Sequence, residues 1–170
     1  MGAPTAQDLK RGRWFLLISV VVTALLFSFP QGFYLAYPLM LLSTLAHEMG
    51  HGIAGAVVGA TFESFHLWAD GSGMAEVTGT HSRIANAIVS AGGLVGPALV
   101  AAAFFALGRR EKSARTCLWG LGAFLAFVDV WVVRGLFSFG FFFVAALAAV
   151  CLGIASKAKP WLAQMSVLFV

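Results

Sequence analysis

Charge is scarce in this chain. Only 11% of its 170 residues are charged, while 60% are hydrophobic. A water-soluble surface ordinarily carries about a quarter to a third of Lys, Arg, Glu and Asp, so a soluble globular fold is excluded. Cysteine is nearly absent as well. Cys117 and Cys151 stand in apolar surroundings, and their spacing matches no metal or redox motif. That excludes a disulfide scaffold, and both read as packing residues. The net charge is +4, yet the basic residues sit at the ends of apolar runs. Anchoring and orientation in a bilayer account for them there, so they do not argue for a nucleic-acid partner. No internal repeat or low-complexity segment occurs.

What the chain does have is a series of apolar runs of bilayer length. They predict an all-α polytopic membrane protein with about five transmembrane helices. The expected spans are roughly Trp14–Phe29, Tyr34–Val58, Arg83–Leu107, Thr116–Val133 and Leu136–Ala155. The whole chain, 1–170, reads as one membrane-embedded domain. Residues 1–13 read as a disordered tail, most clearly over Met1–Gln7. No small-residue cleavage site follows the first run, only Phe29-Pro30-Gln31-Gly32-Phe33, so it is expected to be a retained span rather than a signal peptide. Lys157, Lys159 and Pro160 close the fifth run. Trp161–Val170 then begins an apolar stretch too short to span, expected to be the start of a further helix in a truncated chain.

Residues 61–80 differ in kind. Polar and apolar residues alternate through Phe62-Glu63-Ser64-Phe65-His66-Leu67-Trp68, followed by Asp70-Gly71-Ser72-Gly73 and a second short run, Met74–Thr78. This pattern predicts a β-hairpin with a Gly-rich turn between the second and third spans. An open hairpin edge can accept an extended substrate by strand addition. Glu63, Asp70 and Glu76 read as turn or surface residues, and His66 and His81 as ordinary polar residues.

The chemistry concentrates in His47-Glu48-Met49-Gly50-His51. Two histidines four apart lie on one helical face, a spacing that suits two imidazoles on one zinc ion. A glutamate beside them can take a proton from water at that metal. Ionisable side chains within a bilayer cost a few kcal/mol each and are functional by default. Here three of the scarce ones cluster on one turn. Zinc needs a third protein ligand and an open position. Asp129 is the carboxylate within a later span and the candidate in the chain; its plainer role is an interfacial partner of Arg134. Asn86 can donate a hydrogen bond to a reaction intermediate or act as polar glue between helices. Gly92 and Gly96 have the spacing of a close helix–helix contact, and Pro97 can kink its helix and free a carbonyl. The aromatic run Phe139–Phe143 reads as lipid-facing bulk.

His47-Glu48-x-x-His51 in an early span, then the hairpin with Asp70-Gly71-Ser72-Gly73, then Gly92-Gly93-x-x-Gly96-Pro97 in the next span, resembles the site-2 protease family of intramembrane zinc metallopeptidases. More closely, the pattern is similar to the family's short bacterial, B-like branch. The resemblance covers about Leu45–Val144. It implies cleavage of a membrane-embedded or membrane-proximal peptide segment by an integral protein of a bacterial inner membrane. One zinc ion would be held by His47 and His51, with Glu48 as base. Asn86, Gly92, Gly93, Gly96 and Pro97 would hold the substrate. The larger family carries its third ligand in a Leu-Asp-Gly motif with Asn-x-x-Pro upstream. This chain has Val128-Asp129-Val130 and no such pair, so the third ligand is either Asp129 or a residue beyond Val170. The alternative from a different class is a non-catalytic metal-binding or degenerate peptidase-like scaffold. Orientation, oligomeric state and the substrate's identity stay open.

Overall fold

The computed structural model of the chain describes residues 6–80, 82–133 and 135–169. Among them run α1 (Ala6–Ser28), α2 (Gly32–Val57), β1 (Thr61–Leu67), β2 (Gly73–Thr78), α3 (Arg83–Gly108), α4 (Glu111–Trp131), α5 (Phe139–Lys157) and α6 (Pro160–Phe169). The fold is mostly helical, as a bilayer requires of backbone groups that find no water, and the expected hairpin is present.

Among the described residues, four helices are long and apolar enough to cross a membrane: Leu9–Ser28, Arg83–Gly108, Lys112–Trp131 and Phe139–Lys157. The remaining expected span is α2. At 26 residues α2 has the length, but His47, Glu48 and His51 dilute its apolar character. Helix α1 begins at Ala6, inside the stretch expected as a tail, whose first five residues lie outside the described ones. Ala, Leu, Lys and Arg are good helix formers, and nothing in residues 6–11 breaks the helix before the apolar run begins. His81 and Arg134 lie outside the described residues, as does the pairing of Asp129 with Arg134.

The chain divides into two compact units. One comprises Met1–Tyr37, Ala101–Leu125 and Ala146–Val170. In it α1 packs on α6. The Arg115 guanidinium donates to the Ala158 carbonyl at 2.6 Å, and the Gln164 amide donates to the Arg109 carbonyl at 3.1 Å. Gly108 meets Leu168, and Gly122 meets Leu152. Cys151 is buried and Cys117 half-buried, both as free thiols.

The other unit comprises Pro38–Val100 and Ala126–Ala145. Here the local signals that end each element are visible. Helix α2 ends at Val57, and Gly59 just beyond it has φ +81°. The Ala60 amide returns to the Gly55 carbonyl at 2.9 Å and the Gly59 amide to Ala56 at 3.2 Å, closing the orphan carbonyls of the last turn. Ser82 caps α3 through its hydroxyl to the Ala85 amide, and Ser138 caps α5 through its hydroxyl to the Phe141 amide. The hairpin strands are antiparallel, pairing Phe65 with Ala75 and Leu67 with Gly73, with a bulge between Phe62 and Ser64. At the turn, Asp70 Oδ1 accepts from both the hydroxyl and the amide of Ser72, and Gly71 takes φ +89°. The hydrogen bonds at Asp70 hold its carboxyl below the ordinary value, the Ser72 hydroxyl more than the Ser72 amide.

The fourth span was expected to continue to Val133. Instead α4 ends at Trp131, and Val132 and Val133 extend along β1. The Phe65 amide donates to the Val132 carbonyl at 3.0 Å. In an antiparallel pair, alternate residues point their backbone groups away from the partner strand. Phe65 does so, and the end of α4 takes up the amide that β2 leaves free. The fifth helix correspondingly starts at Phe139 rather than near Leu136.

Candidate functional site

Helix α2 presents two faces within its unit. Met40, Thr44 and Glu48 are four apart, so they lie one above another on one face. This face carries the hairpin. Met40 lies against Gly71, and Thr44 and Glu48 lie against Gly73. The Thr44 hydroxyl donates to the Gly71 carbonyl at 2.9 Å. Further along, Gly52 accommodates the Phe62 ring and Gly55 accommodates Val77. The second face holds Ala46, His47, Gly50, His51 and Ala54, and it meets α3. Any Cβ at Gly50 would strike the Gly92 carbonyl, and one at Gly92 would strike the Gly50 carbonyl. Gly96 approaches the backbone of Gly50 and the carbonyl of Ala46. The two helices thus touch backbone to backbone, which only the missing side chains allow.

That close approach brings α3 against the histidines. His47 Nε2 and His51 Nε2 converge to 3.1 Å, with the rings edge to face. His51 Nδ1 lies 2.7 Å from the Val89 carbonyl. A carbonyl only accepts, so Nδ1 carries the proton and Nε2 keeps its lone pair. A ligating histidine is oriented in the same way, by donating its other ring nitrogen to a carbonyl. Gly93 lies against both rings: a Cβ there would strike His51 Nε2 and press on His47 Cε1. Glu48, on the hairpin face, accepts the Ala75 amide at Oε2 at 2.8 Å. A carboxylate has room for further donors, so one hydrogen bond orients Glu48 without exhausting it.

Two converging imidazole nitrogens, one with its tautomer fixed, fit two corners of a tetrahedral zinc set. Among the described residues, no group of three His, Cys, Asp or Glu side chains stands together to hold a metal. Asp129 is therefore not gathered with the two histidines. It lies in the last turn of α4 with only 5% of its surface exposed, and its Oδ1 has no hydrogen-bond partner among the described residues. A buried carboxylate oxygen is costly unless a cation or a donor meets it.

The remaining sequence candidates fall as follows. Gly92 and Gly96 are occupied in the α2–α3 contact, and Gly93 abuts the imidazoles. Pro97 lies inside α3 and removes the amide that would bond the Gly93 carbonyl. Asn86 is exposed in the first turn of α3. Glu76 accepts from Ser64 and Glu63 from Thr78, both within the hairpin, and His66 stacks on Trp68. Three contributors went unread in the sequence: the Val89 carbonyl, the Ala75 amide and the Thr44 hydroxyl. The first two are backbone groups with no letter of their own. Only the alternation that sets which β2 amides face outward could have pointed to Ala75.

A family model described as Peptidase M50B-like matches residues 17–170. No curated protein and no solved structure matches the chain. The matched span includes every element that builds the histidine pair, from α2 through the hairpin to α3, and it extends over the other apolar helices. The chain is thus a multi-pass membrane protein of peptidase type, and it belongs to the Peptidase M50B-like family, the B-like branch of the site-2 proteases.

Proposed function

We propose that the chain is a zinc-dependent intramembrane endopeptidase that hydrolyses peptide bonds in membrane-embedded or membrane-proximal segments. The observation that carries this reading is the convergence of His47 Nε2 and His51 Nε2 at 3.1 Å, on the helix turn that also carries Glu48. His47 and His51 would hold the zinc ion, and Asp129, which stands apart from them among the described residues, would join as third ligand only if the end of α4 moved toward them. When bound, zinc supplies a Lewis acid for the scissile carbonyl and favours attack by water at neutral pH. Glu48 removes a proton from the attacking water, holds it, and delivers it to the nitrogen of the leaving amine. The Ala75 amide keeps that carboxylate turned toward the hairpin. A substrate helix must unwind to expose its amide bond. The backbone groups of β2 that face away from β1, other than the Ala75 amide held by Glu48, would pair with the unwound segment.

The test uses the purified full chain. Its zinc content is measured by elemental mass spectrometry, and cleavage is followed on a transmembrane peptide. Stoichiometric zinc is expected, with His47→Ala losing it and Glu48→Gln keeping zinc but losing cleavage. Cleavage by Glu48→Gln at the wild-type rate would overturn the proposal. The reading as a non-catalytic metal-binding scaffold is favoured by one observation, that no third ligand joins the histidines among the described residues. It predicts bound zinc without cleavage by the wild-type chain.

A further inference from the structure

Charge is divided unequally between the two units. The unit of Met1–Tyr37, Ala101–Leu125 and Ala146–Val170 contains nine of the eleven basic residues and only two acids, Asp8 and Glu111, a net +7. The unit with the histidine pair has a net −3. Within the basic unit, a cavity of about 120 Å³ opens between α1, α3 and α6. Arg13 and Arg109 line it together with Leu9, Phe105 and Leu168. Gly12 lets the α1 backbone come up against Arg109.

We infer that this cavity binds the phosphate of an anionic phospholipid headgroup. Neither guanidinium forms an ion pair with a described acidic side chain. Guanidinium groups are suited to phosphate because their planar N–H edges match its oxygens. The Arg109 guanidinium lies over the Phe105 ring, 4.6 Å from its centroid. That stacking fixes its plane and leaves its edges free to donate. The buried Gln164 amide holds the Arg109 carbonyl from the other side. Depth agrees with the assignment. Arg13 directly precedes the apolar run that starts at Trp14, and Arg109 directly follows the end of α3 at Gly108. Both therefore stand at the edge of the hydrocarbon layer, where headgroup phosphates lie. The apolar walls favour a lipid over a free anion, since Leu9 and Leu168 can cover the glycerol and first acyl carbons but offer a small anion nothing. Basic pockets between membrane helices recognise lipid headgroups in this way.

The experiment titrates the full chain, in neutral detergent, with phosphatidylglycerol, phosphatidylcholine or inorganic phosphate. Retained lipid is read by native mass spectrometry. One phosphatidylglycerol is expected to be retained in preference to phosphatidylcholine, and inorganic phosphate is expected not to displace it. Arg13→Gln and Arg109→Gln should each weaken retention about fivefold, the effect of one basic residue at a membrane surface. Arg13 is exposed, so its replacement disturbs no packing. Leu168→Trp fills the cavity without changing charge and should also weaken retention. Lys159→Gln, outside the cavity, should not. Equal retention by Arg13→Gln and wild type overturns the inference, as does an equal loss in Lys159→Gln, which would mean a diffuse basic face. Displacement by inorganic phosphate would make it a free-anion site and overturn the lipid assignment.

Discussion

Gly93 governs the candidate site by having no side chain. A methyl group there would strike the edge of His51 and press on His47. Gly93→Ala should therefore turn the imidazoles away from each other while leaving α3 helical, since alanine is a better helix former than glycine. The expected loss is about 10- to 100-fold in zinc affinity, the range seen when groups that orient metal ligands are disturbed. Competition with a zinc-binding dye measures it, and unchanged affinity would show that the rings do not depend on that approach. The histidines and Glu48 are legible in sequence because spacing along one helix is a local property. What sits against them is not. Val89 contributes only a carbonyl, and Gly93 contributes only the absence of atoms, so neither could be assigned before α3 was set beside α2.

At the scale of elements, glycine again separates two kinds of effect. Gly50 and Gly92 each abut the other's carbonyl, whereas Gly120 in α4 has nothing within 4 Å of an added Cβ. Gly50→Ala should destabilise the α2–α3 contact by about 1–3 kcal/mol, the usual cost of overpacking. Gly120→Ala should be neutral or stabilising by up to about 1 kcal/mol. Denaturant titration in mixed micelles distinguishes them, and equal effects would count against a backbone-to-backbone contact. The hairpin turn makes a separate, pH-dependent prediction. Asp70 has a depressed value because the Ser72 hydroxyl, and then the Ser72 amide, bond its charged form. For a group depressed in the folded state, the contribution is complete above the ordinary carboxylate value of about 3.9 and is lost as pH falls through the lower, folded one. Protection of the Ser72 amide from hydrogen exchange, corrected for intrinsic rate, should fall in that acid range. Asp70→Ala should lack the transition. The hairpin itself is legible from its alternation and its Asp-Gly-Ser-Gly turn. The end of α4 is not, because Val132 and Val133 are as apolar as the helix before them. They leave it where the Val132 carbonyl accepts the Phe65 amide, a partner distant in the chain.

For the whole molecule, the open matter is whether metal binding ties α4 to α2. The hairpin already links them: the end of α4 bonds β1, β1 pairs with β2, and the Ala75 amide of β2 bonds Glu48. Asp129 lies at the α4 end of this series, buried and with Oδ1 unpartnered among the described residues. No helical spacing could have shown whether it reaches the histidines, because its distance from them is set by tertiary packing alone. A metal shared by His47, His51 and Asp129 would couple the elements energetically. Zinc at about 100 times its dissociation constant should raise stability by about 2.7 kcal/mol. If Asp129 is a ligand, His47→Ala and Asp129→Asn should each abolish most of that gain, and the double variant should lose no more than either alone. If Asp129 acts elsewhere, Asp129→Asn should leave the zinc-dependent gain intact, and any other cost should add to that of His47→Ala within about 0.5 kcal/mol. The comparison is made with and without zinc, so a general destabilisation by Asp129→Asn cancels, and only the shared ion produces non-additivity.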